Sequence, residues 1–269
     1  MPFLSIIIVS FNTRDDLARC LESLHRPPPS SPHEIIVVDN ASVDGSVGVA
    51  RQWPDVSLVE TGANLGFARA NNIGIRASRG DFLLLLNSDT VVPAGAVDGL
   101  VQALQQSADV AVVGPRLVDG EGRAELSFGA MIGPFNELRQ KALVRGHDRR
   151  VPWISRLVER LTRSQHFPDW VSGACLLVRR ADAEAVGLLD ERYFMYAEDV
   201  DFCAAIRARG RKVLFAPAIS VVHHRGRSAA VARVATREAY RRSQLAFYEK
   251  HHPRWTPFLR FYLRLRGFL

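Results

Sequence analysis

Short apolar, β-branched runs alternate along the first half of the chain with stretches whose apolar residues recur every three or four positions. Residues 5–9 (SIIIV) read as a strand, and 15–24 place Leu17, Cys20, Leu21 and Leu24 at helical spacing. Residues 34–38 predict a second strand and 42–51 a second helix. A third strand over 56–60, a helix over 66–78, a fourth strand over 81–86 and a helix over 93–105 continue the rhythm. The fourth strand, DFLLLL, is almost wholly apolar, as a strand covered on both faces should be. This βαβα order predicts an α/β fold with a mostly parallel central sheet and helices on both faces.

Ligands of such sheets bind beyond the carboxyl ends of the strands. Those ends read Ser10-Phe11-Asn12, Asp39-Asn40-Ala41-Ser42 and Asn87-Ser88-Asp89, so polar and acidic residues are expected along one rim.

The rhythm loosens after Pro115. Residues 120–168 mix Gly, Pro and basic residues with helical patches at 135–144 and 153–162, and read as a mobile insertion over the acceptor side. Order returns with a strand over 170–178, a helix over 200–209 and strands over 212–216 and 219–223. Residues 229–269 look helical, with a break near Pro253.

The composition narrows the class. The 269 residues are 47% hydrophobic and 23% charged, which excludes a disordered chain, and no apolar run approaches membrane-span length. The N-terminus reads as a strand and not as a signal peptide. Three cysteines, Cys20, Cys175 and Cys203, lie in apolar stretches without CxxC spacing, which suits buried thiols and a cytoplasmic location. The net charge is +7, with basic residues concentrated over 139–163 and after Arg225. No zinc-finger or RNA-binding signature accompanies them, so nucleic acid is not the expected partner.

Asp39, at the end of a strand, can accept a hydrogen bond from the imino N–H of uracil or thymine, or cap a turn. Asp89 can hold a divalent cation or cap the helix that follows. Asn87 can reach the ribose or the metal shell. In Asn64-Leu65-Gly66-Phe67-Ala68-Arg69, Asn64 and Gly66 suit a tight turn and Arg69 can reach ribose or diphosphate. Glu198, Asp199 and Asp201 open a helix among aromatics, where desolvation makes a carboxylate more basic. Of His223 and His224, adjacent in a strand, only one can face a metal. There is no GxGxxG and no P-loop.

Taken in order, SIIIVSFN (5–12), VDNASVDGS (38–46), NLGFARAN (64–71), LNSD (86–89) and Glu198-Asp199 resemble the family 2 inverting glycosyltransferases, and most their bacterial rhamnosyltransferase-type branch. The resemblance spans about residues 4–228. It implies a GT-A fold, a nucleotide site at Asp39 together with Ser10, Asn12, Asn64, Gly66, Arg69, Asn87 and Ser88, and a Mg²⁺ or Mn²⁺ site at Asp89 completed by His223. It also implies a catalytic base at Asp199, with Glu198 beside it. Asn87 stands where many relatives carry Asp.

The expected organisation is a catalytic domain over 1–228, with a nucleotide-binding half (1–118) and an acceptor-binding half (119–228), then a helical extension over 229–269. The expected activity is inverting transfer of a sugar, rhamnose by resemblance, from a dTDP- or UDP-sugar to a hydroxyl of a glycan or lipid-linked acceptor in cell-surface polysaccharide synthesis. The rivals are a sugar nucleotidyltransferase, which needs a Gly-rich basic loop after strand one where this chain has SFNT, and an inactive nucleotide-sugar-binding module. The tail mixes Arg254, Arg260, Arg264 and Arg266 with aromatic and aliphatic residues. It is expected either to touch anionic lipid at the inner face of the plasma membrane or to pack on the domain or a second subunit.

Overall fold

A computed structural model describes residues 3–224 and 233–268. The expected boundary at 228/229 falls outside the described residues. Strands β1 (Leu4–Ser10), β2 (His33–Asp39), β3 (Val56–Glu60) and β4 (Phe82–Asn87) alternate with helices α1 (Arg14–His25), α2 (Ser46–Ala50) and α3 (Phe67–Ala77). Then come β5 (Thr90–Val91), α4 (Ala96–Gln105), β6 (Val110–Val118), β7 (Phe128–Gly129), α5 (Pro134–Asp148), α6 (Pro152–Leu161), β8 (Trp170–Val171), β9 (Cys175–Arg179) and α7 (Arg180–Ala185). The chain continues through α8 (Glu198–Ala208), β10 (Lys212–His223), α9 (Arg233–His251) and α10 (Thr256–Leu265). Among the described residues, one eight-stranded sheet runs β3-β2-β1-β4-β9-β6-β10-β5, and β7 and β8 form a separate ribbon. The pairs β2·β3, β1·β2, β1·β4 and β6·β10 are parallel; β9 is antiparallel to both neighbours.

The apolar strands are explained by two cores. Side chains alternate across a strand. Leu4, Ile6 and Ile8 of β1 and Phe82, Leu84 and Leu86 of β4 pack with Leu17, Leu21 and Leu24 of α1 and Leu100 and Leu104 of α4. Ile7 and Val9, with Leu83 and Leu85, pack on the other face with Ala70 and Ile75 of α3 and Phe202 and Ile206 of α8. Truncating a fully buried leucine such as Leu84 to alanine would cost about 2–5 kcal/mol. Cys20, Cys175 and Cys203 are all buried, as expected, and burial pushes the Cys20 and Cys203 thiols up to about 12.

Four expectations need correction. The helix expected over 42–51 is only Ser46–Ala50, because Asp39 takes the N–H of Ser42 and Asp44 takes that of Ser46, holding the chain in a loop. The loosening expected after Pro115 begins only past Val118, the end of strand β6, in which Pro115 lies opposite Ala216. The two strands expected over 212–223 are one, bent between Ala216 and Ser220 where Pro217 sits. The strand expected over 170–178 is two, broken at Ser172-Gly173-Ala174. Within 120–168, α5 and α6 pack together, with Ile154 against Gly146 and Glu159 paired to Arg116 at 2.8 Å.

Candidate active site at the strand-end rim

Strand register assembles the rim. Ser10 lies opposite Asp39 across β1·β2, and Val9 opposite Asn87 across β1·β4. Asp39 is 2% exposed; its Oδ1 accepts the Ser42 N–H at 2.8 Å and its Oδ2 has no hydrogen-bond partner. Buried carboxylate oxygens are costly to leave unpaired, so Oδ2 suits an incoming N–H donor. The neighbouring loops are built by side chains. Asn12 accepts the N–H of Val43 at 2.8 Å, and Thr13 joins the hydroxyls of Ser10 and Ser88 at 3.1 and 2.8 Å. Asn12 and Ser10 are thereby engaged in shaping the rim.

The turn before α3 is tied to the same loops. Asn64 accepts from Asn40 Nδ2 at 2.9 Å and from Gly66 N–H at 3.1 Å. Gly66 has φ +85, and a Cβ there would collide with the carbonyl of Phe194, which accepts the Phe67 N–H at 2.6 Å. The glycine is thus required twice, by conformation and by close approach. Arg69 is not joined to this set by any described contact; it is half-exposed, 3.7 Å from Glu191.

Antiparallel pairing of β5 with β10 sets His223 opposite Thr90 and brings its Nε2 to 3.3 Å from Asp89 Oδ1. Its Nδ1 lies 3.0 Å from Glu125 Oε2, and all three side chains are largely buried. Burial works to lower the His223 imidazole, but the carboxylates of Asp89 and Glu125 outweigh it and lift it to about 9. A dication can take the place of the Nε2 proton while Nδ1–H stays on Glu125, an arrangement common to histidine metal ligands. Among the described residues no three His, Cys, Asp or Glu side chains converge as a complete metal cage. The carboxylate of Asp89 and the imidazole of His223, 3.3 Å apart, are donors that fit a Mg²⁺- or Mn²⁺-type ion with positions open to phosphate oxygens. The unpartnered Oδ1 of Asn87 is buried nearby in the same segment.

Across β4·β9, the Asn87 N–H donates to the Ala174 carbonyl at 2.9 Å, and the next residue back, Gly173, donates to Asp199 Oδ2 at 2.9 Å. Asp199 Oδ1 accepts the Val200 N–H at 2.8 Å. Burial raises the Asp199 carboxyl, partly offset by these N–H groups. Glu198 is buried with Oε2 unpartnered, and burial together with the Asp199 charge holds its carboxyl well above the usual range. Asp201 points elsewhere: it binds Tyr193, Lys250 and His251 at 3.2, 2.8 and 2.6 Å. A cavity of about 330 Å³ beside the rim is lined by Glu125, His147, His223 and His224, and by none of Asp39, Asp89 and Asp199.

Glu125 and Gly173 were missed in sequence. Glu125 is one of three acids, with Asp119 and Glu121, in a Gly-rich segment and carries no local signal that sets it apart. Gly173, set between small residues inside an apolar run, could have flagged the break.

The model of the family described as "Glycosyl transferase family 2" matches residues 5–182. An N-acetylglucosaminyl-diphospho-decaprenol L-rhamnosyltransferase of Mycobacterium tuberculosis is 31% identical over 94% of this chain and 86% of its own length. The rhamnosyltransferase WbbL of Escherichia coli is 25% identical over 81% of this chain and 82% of its own. Among solved structures, the mannosyltransferase PcManGT from Pyrobaculum calidifontis, in complex with GDP-Man and Mn²⁺, superposes with a TM-score of 0.63 at 18% identity, covering 96% of this chain and 68% of that one. GalNAc-T7 with UDP, GalNAc and Mn²⁺ gives 0.62 at 17%, covering 83% and 44%. The fold is of the GT-A type.

Proposed function

The chain belongs to glycosyl transferase family 2, close to its rhamnosyltransferase branch, and from that membership we propose that it transfers rhamnose from a dTDP- or UDP-linked donor to a hydroxyl of a lipid-linked glycan, with inversion. The observation that carries the reading is the unpartnered Asp39 Oδ2 on the same rim as the Asp89–His223 pair.

Asp39 accepts the N3–H of the uracil or thymine base, and Asn64, Gly66, Ser10, Asn12 and Ser88 hold the loops around the nucleotide. Asp89 and His223 would hold Mg²⁺ or Mn²⁺, which would supply positive charge to offset that of the diphosphate leaving group. Glu125 fixes the tautomer and the plane of His223. Asp199 removes the acceptor proton, and the freed oxygen attacks the anomeric carbon as the bond to the diphosphate breaks. One displacement inverts that carbon. Gly173 and Val200 hold the Asp199 carboxylate in one orientation, so part of the acceleration comes from positioning. Glu198 stands beside it, its carboxyl raised by burial and by the Asp199 charge. We assign the nucleotide to residues 1–118 and the acceptor to 119–228, with 120–168 as the acceptor-side element and 229–269 as an extension.

The test is transfer from dTDP-rhamnose and UDP-sugars to a lipid diphosphate-linked N-acetylglucosamine, with Mn²⁺, Mg²⁺ or EDTA, followed by NMR of the new anomeric centre. Metal-dependent transfer with inverted configuration is expected. Transfer undiminished in EDTA, or retention of configuration, overturns the reading.

A further inference from the structure

Helix α10 has two apolar faces. Thr256 and Leu263 are buried, and Leu259 packs with Tyr193, Val200, Phe247 and Tyr248. Phe258, Phe261, Tyr262 and Leu265 recur at i, i+3, i+4 and i+7 and form one stripe on another side of the helix. Their exposures are 68%, 65%, 44% and 70%. Such a stripe does not stay in water without a purpose.

The stripe does not end with α10. The Trp255 ring lies 5.7 Å from that of Phe258 and 6.4 Å from that of Phe135 at the start of α5, which is 79% exposed. Leu138, one turn on, is exposed as well. Two elements far apart in sequence thus share one apolar surface.

The charge of its C-terminal part has one sign. Residues 252–268 contain Arg254, Arg260, Arg264 and Arg266 and no acid. On the helical wheel Arg264 and Arg266 flank the stripe on either side, and the Arg266 guanidinium stands over Tyr262 at 6.0 Å. Arg260 lies away from the stripe, paired with Glu249 at 2.6 Å. Long cationic side chains beside an aromatic-apolar band are what an anionic headgroup layer complements.

The surface is coupled to the site. Val200 and Ala197, at the start of α8, pack in the same cluster as Leu259, and Ser243 of α9 donates to the Met195 carbonyl at 2.7 Å. The platform that carries the stripe also braces the segment that leads into Glu198 and Asp199 at the start of α8.

We propose that Phe135, Leu138, Trp255, Phe258, Phe261 and Leu265, flanked by Arg264 and Arg266, form a docking surface for an anionic lipid bilayer. This deepens the lipid-linked acceptor reading by bringing the segment that carries Glu198 and Asp199 toward the plane where such a substrate lies. Docking itself requires neither donor nor acceptor.

The test is co-sedimentation of the full chain with vesicles of phosphatidylcholine alone or mixed with phosphatidylglycerol. Binding is expected only with phosphatidylglycerol. Arg264→Gln with Arg266→Gln should weaken it by about fivefold per arginine. Phe258→Ser with Phe261→Ser and Leu265→Ser should weaken it at least about tenfold, with an unchanged melting temperature because all three positions are exposed. Absent binding, equal binding to neutral vesicles, or undiminished binding by the triple variant overturns the proposal. So does a dimer in solution that the triple variant splits while no vesicle binding is seen, since a second copy then covers the stripe. The transfer assay with a soluble acceptor is read separately, so failure of docking and failure of the transferase reading are distinct results.

Discussion

Gly173 donates its main-chain N–H to Oδ2 of Asp199 at 2.9 Å, joining the break between β8 and β9 to the start of α8. With the Val200 N–H on Oδ1, both carboxylate oxygens are oriented by backbone. An amide at 199 can satisfy only one of the two donors and cannot take up a proton. Asp199→Asn should therefore lower kcat by about 10²–10⁴-fold with nucleotide affinity nearly unchanged. Glu198→Gln should be milder, since Glu198 is not the group assigned to take the proton. The raised Asp199 carboxyl must lose its proton to act as base, so kcat should fall as pH drops through that raised value. Near-normal turnover of Asp199→Asn would move the base to another carboxylate.

Asp39 Oδ2 has no hydrogen-bond partner while Oδ1 holds the loop at Ser42, and Oδ2 is the atom proposed to accept the base N–H. Asp39→Ala should weaken UDP and dTDP binding by about 1.5–3 kcal/mol, the worth of a hydrogen bond to a charged group. Calorimetric titration with both nucleotides checks it, and unaltered affinity for both refutes the assignment.

Glu125 touches His223 on the nitrogen opposite Asp89. Glu125→Ala should weaken Mn²⁺ binding by about 10–100-fold, as loss of such an outer partner does. Glu125→Gln, which can still accept from Nδ1–H, should lose less. Asp89→Asn should remove metal-dependent nucleotide binding altogether. The readout is the free Mn²⁺ signal by electron paramagnetic resonance, which does not depend on turnover.

Glu137 of α5 clamps α9. Tyr240 and Tyr248 donate to it at 3.0 and 2.9 Å, beside Gln244 and Lys141. Burial works to raise its carboxyl, but Lys141, Gln244 and Tyr248 outweigh burial and hold it below the ordinary 4.5. A depressed folded value means stability is present above the unfolded value and lost as pH falls through the folded one. Glu137→Gln should cost about 1–3 kcal/mol at neutral pH. Its deficit in melting temperature against the parent should shrink as pH falls below about 4.5. A deficit independent of pH would mean that the charge contributes nothing.

Periodicity alone determined the α/β order and the acidic rim. A strand covered on both faces must be apolar throughout, as Phe82–Leu86 is, and a parallel sheet must put its strand-end residues, Ser10, Asp39 and Asn87, on one edge. Asp39, Asp89, Asp199 and His223 were therefore nameable from position and family resemblance. Their partners were decided by tertiary structure. Glu125 meets His223 across 98 residues, Gly173 meets Asp199 across 26, and Gly66 is required by Phe194, far along the chain. None of these contacts leaves a local pattern, because nothing in the segment around Glu125 differs from an ordinary polar loop. The tail shows the same division. Its sequence contained enough apolar residues for packing and for a second apolar surface, and only the docking of Leu259 and Leu263 determined which face is covered and which is left to water. Local spacing specifies which residues share a face; which face finds a partner depends on elements remote in sequence.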